Sequence, residues 1–140
     1  MTSAIAVSVL IALACGYAVL VVWSSFYHRR IRSARSGITI ESFAEEFADG
    51  GCTREVLEAA FEDFVARVGS PVHRVDSLLE TFGLDDEDVE DMLSPRLAAK
   101  GMTWQDVSQS PLRALPLRTV DDYVRFLAEL ARLPTSGSGR

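Results

Sequence analysis

The sequence predicts an all-α protein: one apolar helix of membrane-spanning length followed by a small helical bundle. Three observations carry this reading. Residues 4–23 form a run of twenty residues without a charge, and at about 1.5 Å per residue such a helix crosses a hydrocarbon core of roughly 30 Å. Beyond it, apolar residues recur at helical spacing in several segments. No segment sustains the alternation a strand requires, and no internal repeat is present. At 140 residues the chain holds one modest domain plus an appendage.

Charge divides the chain in the same place. The net charge is −6, yet residues 1–36 carry Arg29, Arg30, Arg32 and Arg35 and no acid, which leaves −10 on residues 37–140. A domain this acidic argues against nucleic acid as a partner, because phosphate binding rests on Lys and Arg. Basic protein surfaces are the expected partners.

Trp23, Phe26 and Tyr27 stand where an interfacial aromatic belt would lie, and the arginines follow at once. Trp23, Tyr27, Arg29, Arg30 and Arg32 are therefore the predicted membrane-interface residues. Arg on the C-terminal flank predicts a single-pass protein of the bacterial inner membrane, with the N-terminus outside and the C-terminal domain in the cytoplasm. A cleaved signal peptide would need a basic leading region that is absent. Ala12-Leu13-Ala14-Cys15 resembles a lipoprotein cleavage box, but apolar sequence continues past the cysteine. Cys15 lies in the span and Cys52 in the acidic part, so neither a disulfide nor a Cys-rich metal site is expected.

The expected segments are an anchor over 1–27, a basic linker with a short helix over 28–52, a helical domain over 53–133 and a disordered tail over 134–140. Within this segment, residues 33–37 read as a short polar linker leaving the membrane. Ile40, Phe43, Ala44 and Phe47 then share one face of a short helix that ends at Gly50-Gly51. Thr53 caps the next helix, whose stripe is Val56, Leu57, Ala60, Phe61, Phe64, Val65 and Val68, with Gly69 as its stop. A loop of about fifteen residues follows, held by Val75, Leu78, Leu79 and Phe82.

An acidic helix starts near Asp85 or Asp86, with Val89, Met92 and Leu93 inward. Residues 76–93 hold eight acids and no Lys or Arg; carboxylates in the first turn favour the positive end of the helix dipole. Ser94-Pro95 is expected to kink or break this helix, since interior proline costs about 3 kcal/mol while Ser-Pro is a good restart. Ser110-Pro111 opens a short helix through Leu112 and Leu115. Thr119 caps the last helix, with Asp121 and Asp122 in its first turn and Val120, Tyr123, Val124, Leu127, Leu130 and Ala131 on one face. Trp104 reads as a core anchor, and His28 and His73 as ordinary surface histidines.

Ser77-Leu78-Leu79-Glu80-Thr81-Phe82-Gly83-Leu84-Asp85-Asp86-Glu87-Asp88-Val89-Glu90 resembles the segment of acyl carrier proteins that ends in Gly-x-Asp-Ser-Leu-Asp. Leu117-Arg118-Thr119-Val120-Asp121-Asp122-Tyr123-Val124 is similar to the Thr-Val-x-Asp opening of the family's final helix. The resemblance runs from about residue 53 to 133, and it implies an acyl-carrier-like four-helix bundle. In the family, the motif serine takes a 4'-phosphopantetheine arm through a phosphodiester. Asp86 occupies that position here and Glu87 that of the usual leucine, as in acyl-carrier-like proteins with Asp or Gly at this site. The resemblance therefore implies no phosphopantetheinylation and no cofactor. Ser77 sits in a literal Asp-Ser-Leu, but in that register the preceding Gly is lost and the final helix falls too far downstream.

The expected function is a membrane-tethered, non-catalytic docking module. It would present Asp86, Glu87, Asp88, Glu90 and Asp91 to a basic surface of a cytoplasmic or membrane-associated protein, with an enzyme of lipid or envelope metabolism among the candidates. Three alternatives stand beside it: a genuine carrier modified at Ser77 or Ser94, an enzyme that uses the acidic cluster with a metal, and a membrane-assembly protein held through Ala, Gly and Ser faces of the anchor. No twelve-residue window has the order of oxygen ligands, central Gly and final Glu of an EF-hand, so no metal site is predicted. Gly50-Gly51 lacks the Lys and spacing of a phosphate-binding loop.

Overall fold

The described residues are mostly helical (71%) and contain no strand. The computed structural model describes residues 2–134, apart from the side chains of residues 2–4 and of His28. Of the expected tail over 134–140, residues 135–140 lie outside the described residues. Two compact units divide at Ser36: Met1–Ser36 and Gly37–Arg140.

The first unit is a single helix, α1 (Thr2–Arg35), long and apolar enough to cross a membrane. Its continuation corrects the expected boundary. The helix runs on past Trp23 through all four arginines, so residues 28–35, expected in the linker, are helical. Arg, Tyr and Phe all tolerate helical backbone, and no Gly or Pro stands between Trp23 and Arg35 to stop the propagation of hydrogen bonds.

The second unit contains α2 (Ile40–Glu45), α3 (Arg54–Val68), α4 (Leu78–Phe82), α5 (Asp86–Ala99), α6 (Trp104–Ser108), a 3₁₀ turn (Pro111–Ala114) and α7 (Val120–Arg132). Four of its helices open with reciprocal capping boxes: Thr39 with Ser42, Asp85 with Asp88, Thr103 with Asp106 and Thr119 with Asp122. Each satisfies two backbone donors that a helix start would otherwise leave unpaired.

The core lies between α3 and α7, with α2 packed against α3. Phe43, Phe64, Leu93, Tyr123 and Val124 are fully enclosed. Phe43 sits 5.5 Å from Phe61, and Phe64 sits 4.8 Å from Tyr123, ring centre to ring centre. Residues 37–52 therefore belong to this unit rather than to a linker.

At the edge of the core, the half-buried Asp63 on α3 receives two bonds from the Arg96 guanidinium of α5, at 2.7 and 3.1 Å, and one from the Tyr123 hydroxyl of α7, at 2.8 Å. One carboxylate thus ties three helices. Burial, and then the Asp63 charge, push the Tyr123 phenol far above its usual pKa.

Several inward assignments are corrected. Val65, Val75, Leu79 and Ala131 are exposed, while Val72 and Phe126 are buried. The expected break at Ser94-Pro95 is absent, because α5 passes through both residues. Val89, Leu93 and Leu97, spaced four apart, are all buried, so the turns on either side of the proline are held in one register by the same core. Pro95 faces solvent, where water can serve the Asp91 carbonyl that loses its partner.

Candidate functional site

The acidic start of α5 is positioned from both sides. Before it, α4 ends at Gly83, whose φ of +69° is the left-handed conformation that favours glycine. Leu84 is buried and acts as a peg between α4 and α5. Asp85 then caps α5, its side chain accepting from the Asp88 N–H at 3.0 Å, while Asp88 accepts from the Asp85 N–H at 3.3 Å.

The wall opposite is built by a short antiparallel bridge between Ser77 and Thr119. The Leu78 N–H donates to the Arg118 carbonyl at 2.9 Å, and the Val120 N–H to the Asp76 carbonyl at 3.0 Å. Arg74 fixes the loop below: it bonds the Asp121 carboxylate at 2.8 Å, the Asp49 carboxylate at 2.7 Å and the Glu46 carbonyl at 2.8 Å. His73, read from the sequence as an ordinary surface residue, meets Glu46 at 2.7 Å.

Between these walls lies a cleft of about 400 Å³, with Leu78, Leu84 and Leu117 as its apolar lining and Asp85, Asp86, Glu80 and Arg118 around it. Leu79, at 62% exposure, adds apolar surface at its edge.

Of the five predicted partner-binding carboxylates, four share one condition. Asp86, Glu87, Glu90 and Asp91 are exposed, and among the described residues none of their side chains has a hydrogen bond or an ion pair. Asp88 differs. It pairs with Arg67 of α3 as well as closing the capping box, and the Arg67 hydrogen bond, followed by the Asp85 backbone N–H, holds its carboxyl below the usual Asp value. The Asp86/Glu90 and Glu87/Asp91 pairs are neighbours at i, i+4, where like charges repel by a few tenths of a kcal/mol.

The two serines considered for modification are both engaged. Ser77 Oγ accepts from the Glu80 N–H at 3.1 Å and caps α4. Ser94 Oγ donates to the Glu90 carbonyl at 2.7 Å and accepts from Trp104 Nε1 at 3.0 Å. Among the described residues no cluster of three or more His, Cys, Asp or Glu side chains could hold a metal ion.

Of the predicted membrane-interface residues, Trp23, Tyr27, Arg29, Arg30 and Arg32 all lie on α1 and are exposed; His28 falls among them, but its side chain lies outside the described residues. Sequence reading missed Arg67 as the partner of Asp88, and it missed the Leu117-Arg118 wall. The Asp-x-x-Asp spacing of Asp85 and Asp88 was a legible capping signal; the two partners across the fold left no local one. No protein-family model, curated protein or solved structure matches this chain.

Proposed function

We propose that the chain is a single-pass inner-membrane protein whose cytoplasmic unit is a degenerate acyl-carrier-like domain acting as a non-catalytic docking module. The observation that carries this is the unpaired state of Asp86, Glu87, Glu90 and Asp91 on the first two turns of α5. Elsewhere in the domain Glu41, Asp49 and Glu58 are tied to arginines, while exposed carboxylates without an ion pair, such as Glu45 and Glu80, stand singly rather than in a run of four. Asp86 and Glu87 lie in the first turn, where the helix dipole favours them, but Glu90 and Asp91 lie beyond it and repel them at i, i+4, a repulsion that a basic partner would relieve. Leu79 beside them supplies apolar contact area within a charged footprint.

The acyl-carrier-like reading is supported by the αL Gly83, the capped Asp85, the acidic α5 and the Thr119-capped last helix. Asp86 in the serine position supports a domain that carries no arm, because a carboxylate forms no stable phosphodiester with pantetheine. The four carboxylates would speed association and set orientation more than they would tighten the final complex.

Salt dependence tests the reading. Membranes holding the tagged full-length protein are solubilised, and co-purifying protein is measured across a salt series for wild type and for Glu87→Lys/Glu90→Lys. Loss of one partner both at high salt and in the variant is expected. A partner retained equally under all these conditions would remove the acidic face from the account.

A further inference from the structure

α1 does not end where its apolar stretch ends. Because the helix continues through Arg35, residues that a linker would leave free are fixed in helical register. Val19, Val22, Trp23, Phe26, Tyr27 and Arg30, at positions i, i+3, i+4, i+7, i+8 and i+11, then share one face and line one groove along α1. The groove is aliphatic at one end, aromatic in the middle and cationic at the other end. Arg30 lies roughly 10 Å beyond Trp23 along the axis, and its side chain leans back toward the helix N-terminus, into the headgroup layer of roughly 5–8 Å that borders the hydrocarbon.

Arg29, Arg30 and Arg32 are exposed and form no ion pair among the described residues, and residues 1–36 contain no acid that could serve them. A guanidinium bonds phosphate oxygens in a planar, two-point geometry and holds its charge at all relevant pH values. Zwitterionic lipid would return a cation to the same site, whereas an anionic lipid leaves net negative charge for the arginines.

We infer that this face of α1 binds an anionic phospholipid, with its acyl chain along Val19 and Val22, its glycerol region against Trp23, Phe26 and Tyr27, and its phosphate on Arg30, with Arg29 on the adjoining face and Arg32, two residues on, adding only its longer-range charge. The inference rests on α1 spanning a bilayer and is independent of the docking role of α5.

Trp23 reports on the site directly, because bromine on a lipid quenches tryptophan only at contact. Full-length protein is reconstituted in phosphatidylcholine vesicles in which an equal minor fraction is dibrominated phosphatidylcholine or dibrominated phosphatidylglycerol. The brominated phosphatidylglycerol is expected to quench as a lipid preferred by about fivefold. Trp23→Phe is expected to remove the quenched signal, which assigns it to one of the two tryptophans. Arg29→Gln/Arg30→Gln/Arg32→Gln is expected to bring the preference to about one, while uniformly brominated phosphatidylcholine still quenches. Equal quenching by the two lipids in the wild type, or a preference that survives in the triple variant, overturns the site. Absence of quenching by uniformly brominated phosphatidylcholine removes the spanning helix itself, and the site with it.

Discussion

Asp86 and Asp88 stand two residues apart on one turn of α5, and their different surroundings divide structure from function. Asp88 serves the fold: it closes the capping box and meets Arg67, and both contacts favour its ionised form. A carboxyl with a lowered folded pKa contributes stability that is present above its unfolded value of about 3.9 and is lost as pH falls through the folded value. Asp88→Asn should therefore flatten the acid limb of a stability-against-pH curve below about pH 4, measured by chemical denaturation.

Tyr123 titrates in the opposite sense. Its raised pKa makes its contribution complete below the unfolded value of about 10, with loss as pH rises further. Tyr123→Phe should cost about 1 kcal/mol at neutral pH through the bond to Asp63 and should remove part of the decline above pH 10. For Asp86, Glu87, Glu90 and Asp91 the expectation is separation of effects. Glu87→Lys/Glu90→Lys should leave stability within about 0.5 kcal/mol of wild type, in the same denaturation assay, while partner binding is lost.

At the scale of elements, the helix starts were legible because their signals are local: Thr119, Asp85 and the Ser110-Pro111 pair each mark the start that the structure contains. Pro95 shows where local signals fail. The Ser-Pro pattern reads as a restart, but the choice between a break and a continuous helix depends on whether Leu93 and Leu97 enter the same core, a property of α3 and α7 rather than of α5. Continuity against the proline has a cost, so Pro95→Ala should stabilise the domain by about 1–2 kcal/mol, the helix gain of roughly 3 kcal/mol being reduced by the looser unfolded chain. Thermal denaturation at neutral pH checks it.

α4 makes the same point in five residues. Leu78 and Leu79 are equivalent by hydrophobicity, and only the backbone bridge to Arg118 sends Leu78 inward and leaves Leu79 exposed. The cleft beside Asp86 was invisible in sequence for that reason, since one wall comes from a segment about thirty residues further on.

For the whole molecule, the charge division between residues 1–36 and 37–140 coincides with the two compact units, and α1 takes in all four arginines. The all-helical class and the long apolar helix were readable from periodicity and charge-free length. The account of the second unit as a carrier domain without its arm has its own check: incubation of the full-length protein with a phosphopantetheinyl transferase and coenzyme A should leave the intact mass unchanged, and an added arm would restore the carrier alternatives at Ser77 or Ser94.

The central claim is that the open carboxylates of α5 meet a basic partner at the membrane. A photo-crosslinking residue placed at Glu87 in the full-length protein, irradiated in native membranes, tests it most directly. The account predicts one dominant protein adduct that weakens as salt rises, disappears with Glu90→Lys/Asp91→Lys, and is absent when the probe replaces Arg113. Adducts indifferent to salt and charge reversal, or equal from position 113, would contradict it.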